Sequence, residues 1–233
     1  MLSHINKKRP NTRLQIIQLA AKMFIDEGFQ NTSIAKLAKI LDLSPGNITF
    51  YFKSKEQLLA VLVDEQINFQ RLMMEKATNE GTSSLLAYCL ELAVMASICE
   101  EDAAAENYYA SAYTSALTLK LIRKRDTEKT KEVFGDYCPH WTQEQWAATE
   151  NIVSGIEYAT IMTKESEIPL PVQIERALDS IMLLYAVPED LRRLKIQKVL
   201  SMDYRALGKK ILTDFKRHIS EVNEQKLKDA SAE

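Results

Sequence analysis

The stretch Asn31-Thr-Ser-Ile-Ala-Lys-Leu-Ala-Lys-Ile-Leu-Asp-Leu-Ser-Pro-Gly-Asn-Ile-Thr-Phe-Tyr-Phe-Lys-Ser-Lys55 decides the fold. Ile34, Leu37, Ala38 and Leu41 recur at i, i+3, i+4 and i+7, the spacing of one apolar helical face. Thr32 or Ser33 supplies a side-chain oxygen to cap its first turn. Asp42-Leu43 then interrupts the pattern, and Asp is one of the few residues with a side chain that tolerates a left-handed turn. Ser44-Pro45 restarts a helix, with Ser as N-cap and Pro at the first position, where its missing N–H costs nothing. Ile48 and Phe52 are spaced to pack back on the first helix, and small Ala38 permits a close approach. Two short helices joined this way predict a helix-turn-helix, whose second helix enters the major groove of DNA.

The flanks agree with that prediction. Thr12, with Gln15 three residues on, opens an earlier helix whose stripe is Leu14, Ile17, Ala21 and Phe24, and Gly28 ends it. Ser54 and Gln57 cap a following helix in the same manner. Lys55 falls in its first turn, where backbone N–H groups and the helix dipole favour an anion such as a DNA phosphate. Residues 1–55 hold nine basic against three acidic side chains, a net +6. The whole chain carries −2, so the remaining residues carry −8. A basic head on an acidic body suits phosphate binding by the head alone. The polar, basic residues 1–11, with Lys7, Lys8 and Arg9, read as an arm.

Residues from about 12 to 65 resemble the DNA-binding domain of the TetR/AcrR family of bacterial transcriptional regulators. The matching pieces are Ile17-Ile-Gln-Leu-Ala-Ala-Lys-Met-Phe-Ile-Asp-Glu-Gly-Phe29, Thr32-Ser-Ile-Ala35, Ser44-Pro-Gly-Asn-Ile48 and Phe50-Tyr-Phe-Lys-Ser-Lys-Glu-Gln-Leu-Leu59. Thr49 stands where an aromatic is usual, Tyr51 where His is common and Asp42 where Gly is common. The DNA-facing set expected is Thr32, Ser33, Ser44, Pro45, Gly46, Asn47, Thr49, Phe50, Tyr51, Lys53 and Lys55. Within it Asn47 and Thr49 read base edges, Phe50 packs on a thymine methyl, and Ser33, Tyr51, Lys53 and Lys55 serve phosphates.

Composition bounds the rest. Only six Gly and six Pro occur in 233 residues, and no run alternates at period two, so the fold class expected is all-α. No apolar run approaches the roughly 18 residues of a membrane span. The N-terminus lacks the apolar core of a signal peptide, which places the chain in the cytoplasm. Three cysteines in a reducing compartment predict no disulfide. Residues 1–55 are expected to form the head, a helix over about 55–76 to connect it rigidly, and residues 77–233 to form a helical body. Body helices are expected near 83–99, 102–125, 127–136, 142–164, 171–187 and 189–222.

No nucleophile elbow, Walker loop, dinucleotide turn or His-Glu-x-x-His occurs, so an enzyme is not expected, nor a cofactor. Cys138-Pro-His140 resembles a fragment of a metal site, but two ligands without a matching pair read as a loop. The resemblance implies a body that encloses a small molecule, whose binding shifts the angle between two heads of a dimer. Cys89, Met95, Tyr108, Tyr109, Tyr113, Trp141, Trp146, Tyr158 and Met162 are the candidate lining, for a small hydrophobic or aromatic effector. At any one of these positions plain core is the commoner role. Ile174, Leu178, Ile181, Leu184, Leu191, Leu194, Leu207, Ile211 and Phe215 fall in near-helical register, and much of that surface is expected on a second copy. The reading is a homodimeric, ligand-released repressor on a pseudo-palindromic double-stranded operator. Two alternatives stand beside it: a regulator of the same fold without effector, and an adaptor that has lost DNA and binds a protein.

Overall fold

A computed structural model describes residues 12–81, 84–162 and 167–232, the side chains of 220 and 222–232 excepted. Among them are eleven helices and no strand: α1 (Thr12–Asp26), α2 (Ile34–Ile40), α3 (Pro45–Tyr51), α4 (Lys55–Thr78), α5 (Leu85–Glu101), α6 (Ala103–Thr114), α7 (Ala116–Phe134), α8 (Gln143–Ile161), α9 (Leu170–Leu184), α10 (Glu189–Ser201) and α11 (Tyr204–Ala232). The all-α class follows. The arm with Lys7, Lys8 and Arg9 lies outside the described residues.

The turn between α2 and α3 forms as its residues dictate. Asp42 takes φ 54°. The Ser44 hydroxyl accepts the Asn47 N–H, and the Asn47 side chain accepts the Ser44 N–H in return, closing a capping box ahead of Pro45. Ser33 caps α2 by accepting the Lys36 N–H, and Ser54 caps α4 by accepting the Gln57 N–H. Leu37, Ala38, Ile48 and Phe52 are buried where α2 and α3 meet α1. The sequence shows one apolar stripe on α1, but Ile16, Ala20 and Met23 are buried as well. The second face packs on α6 and α11. A helix apolar on both sides needs cover on both.

Helix α5 runs through the middle of the body with most of its circumference buried, against α4, α6 and α8–α11. Gly208 lets α11 approach it: a Cβ there would meet Ser97 Oγ at 2.9 Å. Two expected helices are divided. The span 102–125 breaks at Ser115, and its second half continues through 127 as α7. Ser111 and Thr114 turn their hydroxyls back on the carbonyls of Asn107 and Ala110. Such back-bonding weakens a helix, and Thr118 then donates to the Ala112 carbonyl released at the break. The span 189–222 breaks at Met202-Asp203, where Asp203 accepts the Ala206 N–H and starts α11. All three cysteines are free and buried.

The surface expected to pair with a second copy needs correction. Ile174, Leu178, Ile181, Ile211 and Phe215 are buried within one chain, and Leu184, Leu191 and Leu207 are half-buried. Their shared stripe exists because α9 and α11 cover α5. Leu194 on α10 is 60% exposed, and Leu183 on α9, outside the expected set, is 59% exposed.

Gly28 joins head to body at close quarters. Its φ is +89°, and a Cβ would sit 2.9 Å from Asn107 Oδ1 on α6. Gly28→Ala is expected to lower stability by about 1–3 kcal/mol through the left-handed backbone and the crowding together. Urea unfolding reads this directly, and an unchanged midpoint would contradict the geometry.

Candidate nucleic-acid interface and body cavity

Helix α3 presents a face without acids. Pro45, Gly46, Asn47 and Phe50 are exposed and Thr49 is half-buried. Phe50 is 73% exposed and Tyr51 41%, their rings edge to face at 5.2 Å. Both rings stand in water on the outer face of a capped helix rather than in the core. Asn47 Oδ1 is engaged with Ser44, which leaves its amide N–H₂ for donation outward. Thr49 donates to the Gly46 carbonyl at 3.2 Å and retains its acceptor capacity. Lys53 is exposed just beyond α3, its backbone N–H given to Gln57 Oε1 at 2.7 Å. Lys39 lies exposed at the end of α2, while Lys36 is paired with Glu27.

Two members of the expected DNA-facing set point elsewhere. Thr32 is 2% exposed, and its hydroxyl donates to the Gly28 carbonyl. The Lys55 ammonium donates to the carbonyls of Phe29 and Thr32, both at 2.8 Å, and lies 4.0 Å from the centroid of the Phe29 ring. Burial holds its pKa below the ordinary lysine value. The ammonium has turned inward because the loop 28–33 offers two carbonyls with no helical partner and an aromatic face.

The body holds a cavity of about 50 Å³ between α4, α5, α6, α7 and α8. Three of the nine expected lining residues reach it: Met95, Tyr109 and Tyr113. The other six do not. Cys89 contacts the Met182 sulfur and Tyr108 packs in the core. Trp141 and Trp146 stack around Tyr185, Tyr158 leans on Tyr113 from behind, and Met162 is exposed. Cys138 donates to the Tyr185 carbonyl in the core, a structural place rather than a ligating one.

The sequence reading missed the polar lining. Gln66 and Gln70 of α4 are buried there, and Gln70 donates to the Tyr109 hydroxyl at 2.8 Å. Glu91 of α5 pairs with Lys129 of α7, and the Lys129 ammonium also lies over the Tyr88 ring. Asp126 and Glu157 line the cavity, and Glu150 is wholly buried beside them. The Tyr113 hydroxyl donates to Glu157 Oε2 at 3.0 Å, and the Tyr185 hydroxyl to Glu150 Oε2 at 3.3 Å. Burial pushes the carboxyls of Asp126, Glu150 and Glu157 well above the ordinary range, with repulsion from Asp126 adding to it at Glu150 and Glu157 and from Glu91 at Asp126. Burial pulls Lys129 down, but Glu91 and Asp126 outweigh it and raise its pKa. Four acids, Glu150 wholly buried and Glu91, Asp126 and Glu157 partly so, therefore gather around one lysine, an arrangement costly to fold.

The cavity and the head share supports. Helix α4 lines the cavity with Val63, Gln66, Ile67 and Gln70 and starts at Lys55 in the head. Helix α6 lines it with Tyr109, Ala112 and Tyr113, and its Asn107 Oδ1 accepts the Gln30 N–H of the head at 3.0 Å.

Residues 16–62 match the family described as "Bacterial regulatory proteins, tetR family". The probable HTH-type transcriptional regulator YttP of Bacillus subtilis (strain 168) is 32% identical over 83 residues, 35% of this chain. That match spans 40% of the relative's own length. The fatty acid metabolism regulator protein of the same strain is 24% identical over 174 residues, 75% of this chain and 80% of the relative. A solved gamma-butyrolactone receptor (ArpA-like protein) aligns with 88% of this chain and 98% of its own, at a TM-score of 0.42 and 17% identity.

The inward turn of Lys55 generates a prediction. Lys55→Met should cost about 1–3 kcal/mol of stability by freeing two carbonyls from a charged donor. The salt slope of DNA binding should not change. Calorimetric melting and a salt titration check both, and a slope reduced by about one contact would return Lys55 to the phosphate set.

Proposed function

We propose that this chain, whose residues 16–62 match the tetR family of bacterial regulatory proteins, is a transcriptional regulator of that family, a dimeric repressor released from its operator by a small effector. The reading places it in the cytoplasm, without catalysis. Residues 1–55 form the head, α4 the connector and residues 77–233 the effector and dimer body. The observation that carries the proposal is the acid-free, partly apolar outer face of α3, presented by a capped and rigid turn. Asn47 and Thr49 read base edges, Phe50 meets a thymine methyl, and Ser33, Ser44, Pro45, Gly46, Tyr51 and Lys53 approach the backbone and groove walls. Thr32 and Lys55 hold the loop behind them.

Release follows from the shared supports. An effector that enlarges the cavity displaces α4 and α6, which reach the head at Lys55 and Asn107. It shifts the equilibrium only by its preference for the form that fits DNA badly. The lining asks for an apolar body against Leu92, Met95 and Ile122 and a polar group against Gln66 and Gln70. This adds polarity to the hydrophobic effector expected from the sequence. A 174-residue match in a 233-residue chain extends past the head, so the relative named for fatty acid metabolism makes acyl compounds the first probes.

Dimerisation runs through the apolar side chains that α9 and α10 leave exposed. A two-fold axis there gives recognition helices one DNA turn apart, roughly 34–36 Å. Leu183→Glu with Leu194→Glu should yield folded monomers that bind DNA poorly. Sedimentation decides: a parent chain already at 26.6 kDa would defeat the dimer.

The deciding experiment is selection of genomic fragments by the purified protein, followed by gel shift. Asn47→Ala should cost about 1–3 kcal/mol at one or two operator positions. A melt beside it separates that loss from the cap Asn47 also supplies. Equal loss on random DNA sinks the base-reading role, and no shift with any fragment favours the adaptor.

A further inference from the structure

We propose that Asp126, Glu150 and Glu157, between α7 and α8, form a binding site for a hard divalent cation. One carboxylate oxygen from each residue lies within 4.8 Å of the other two. Three oxygens at that outer limit sit about 2.8 Å from a central ion, so a small closure reaches the 2.3–2.6 Å typical of calcium–oxygen bonds and a larger one the roughly 2.1 Å of magnesium. An all-oxygen set of carboxylates and water suits calcium, magnesium and manganese.

One lysine serves the whole cluster: the Lys129 ammonium lies in the field of all three carboxyls, but it is bonded to Glu91 and stands over the Tyr88 ring. Arg123, on the same helix, donates to Ser154 Oγ at 2.9 Å. Two buried polar groups beside the trio also lack partners. Glu150 is wholly buried, and its Oε1 has no hydrogen bond. The Tyr88 hydroxyl is buried on the wall of the same cavity, also unpartnered, and within the field of all three carboxylates. Unmade hydrogen bonds inside a protein are costly and call for a partner.

The surroundings fit the part. Tyr113 and Tyr185 donate to Oε2 of Glu157 and Oε2 of Glu150, hydrogen bonds of the kind that orient ligating carboxylates. The adjoining cavity of about 50 Å³ has room for one or two waters, at roughly 30 Å³ each, to complete the coordination.

The test uses the full chain stripped with chelator and no DNA, so its outcome is independent of the repressor reading. Manganese binding is followed by the loss of the free-ion electron paramagnetic resonance signal, calcium binding by calorimetry and melting. One saturable site per chain is expected. Glu157→Gln and Asp126→Asn should each weaken it by about tenfold or more. In chelator Glu157→Gln should melt no lower than the parent, because burial and Asp126 already disfavour its charge, while Asp126→Asn gives up an attraction to Lys129; with calcium only the parent should gain. Should one variant fail to fold, Glu150→Gln, which keeps an acceptor for Tyr185, takes its place. No saturable uptake at millimolar ion, unchanged uptake in the variants, or stabilisation by a tetraalkylammonium ion but not by metal would each overturn the proposal.

Discussion

The loop between α1 and α2 is gripped from two sides, and this grip joins the packing of α1 on α6 and α11 in setting the position of the head. From α4 the Lys55 ammonium reaches back to the carbonyls of Phe29 and Thr32. From α6 the Asn107 side chain takes the Gln30 N–H and leaves Gly28 no room for a Cβ. Neither contact is strong by itself, since a hydrogen bond to a charged group contributes only about 1.5–3 kcal/mol. Together they bind one short loop to two helices that continue into the walls of the cavity. A change in the cavity therefore has two mechanical routes to α2 and α3, and both end on the same few backbone atoms.

The turn at Asp42, the caps at Ser33, Ser44 and Ser54 and the left-handed Gly28 were legible in the sequence because each is decided within four or five residues. The direction of Lys55 was not. A four-carbon stem reaches outward or back with equal ease, and the carbonyls that settle the matter lie 23 and 26 residues away. The breaks at Ser115 and Met202 were missed for a related reason: hydrophobic period continues across them while capping chemistry does not.

The cavity was half legible. Met95, Tyr109 and Tyr113 were expected in it, whereas Trp141 and Trp146 were drawn to Tyr185, because aromatic rings satisfy one another as readily as they satisfy a ligand. Asp126, Lys129, Glu150 and Glu157 look in sequence like the charged faces of solvated helices. Only the packing of α7 and α8 on each other and on α5 turns them inward. Glu91 was the available signal, a single charge in the middle of the apolar run from Leu85 to Cys99.

Helix α4 has 24 residues and runs unbroken from the head along the cavity. At about 1.5 Å per residue it is a rod of roughly 36 Å. It is clamped part-way along by Asp64 on Arg125 and by Arg71 on Glu132. A tilt of about 5° over such a rod carries its far end through an arc of about 3 Å, close to the 3.4 Å rise of one base step. Side chains packed in the body need to yield by only a fraction of an ångström per turn of helix. The fingertips of the head would then miss their place on the duplex by about the height of one rung.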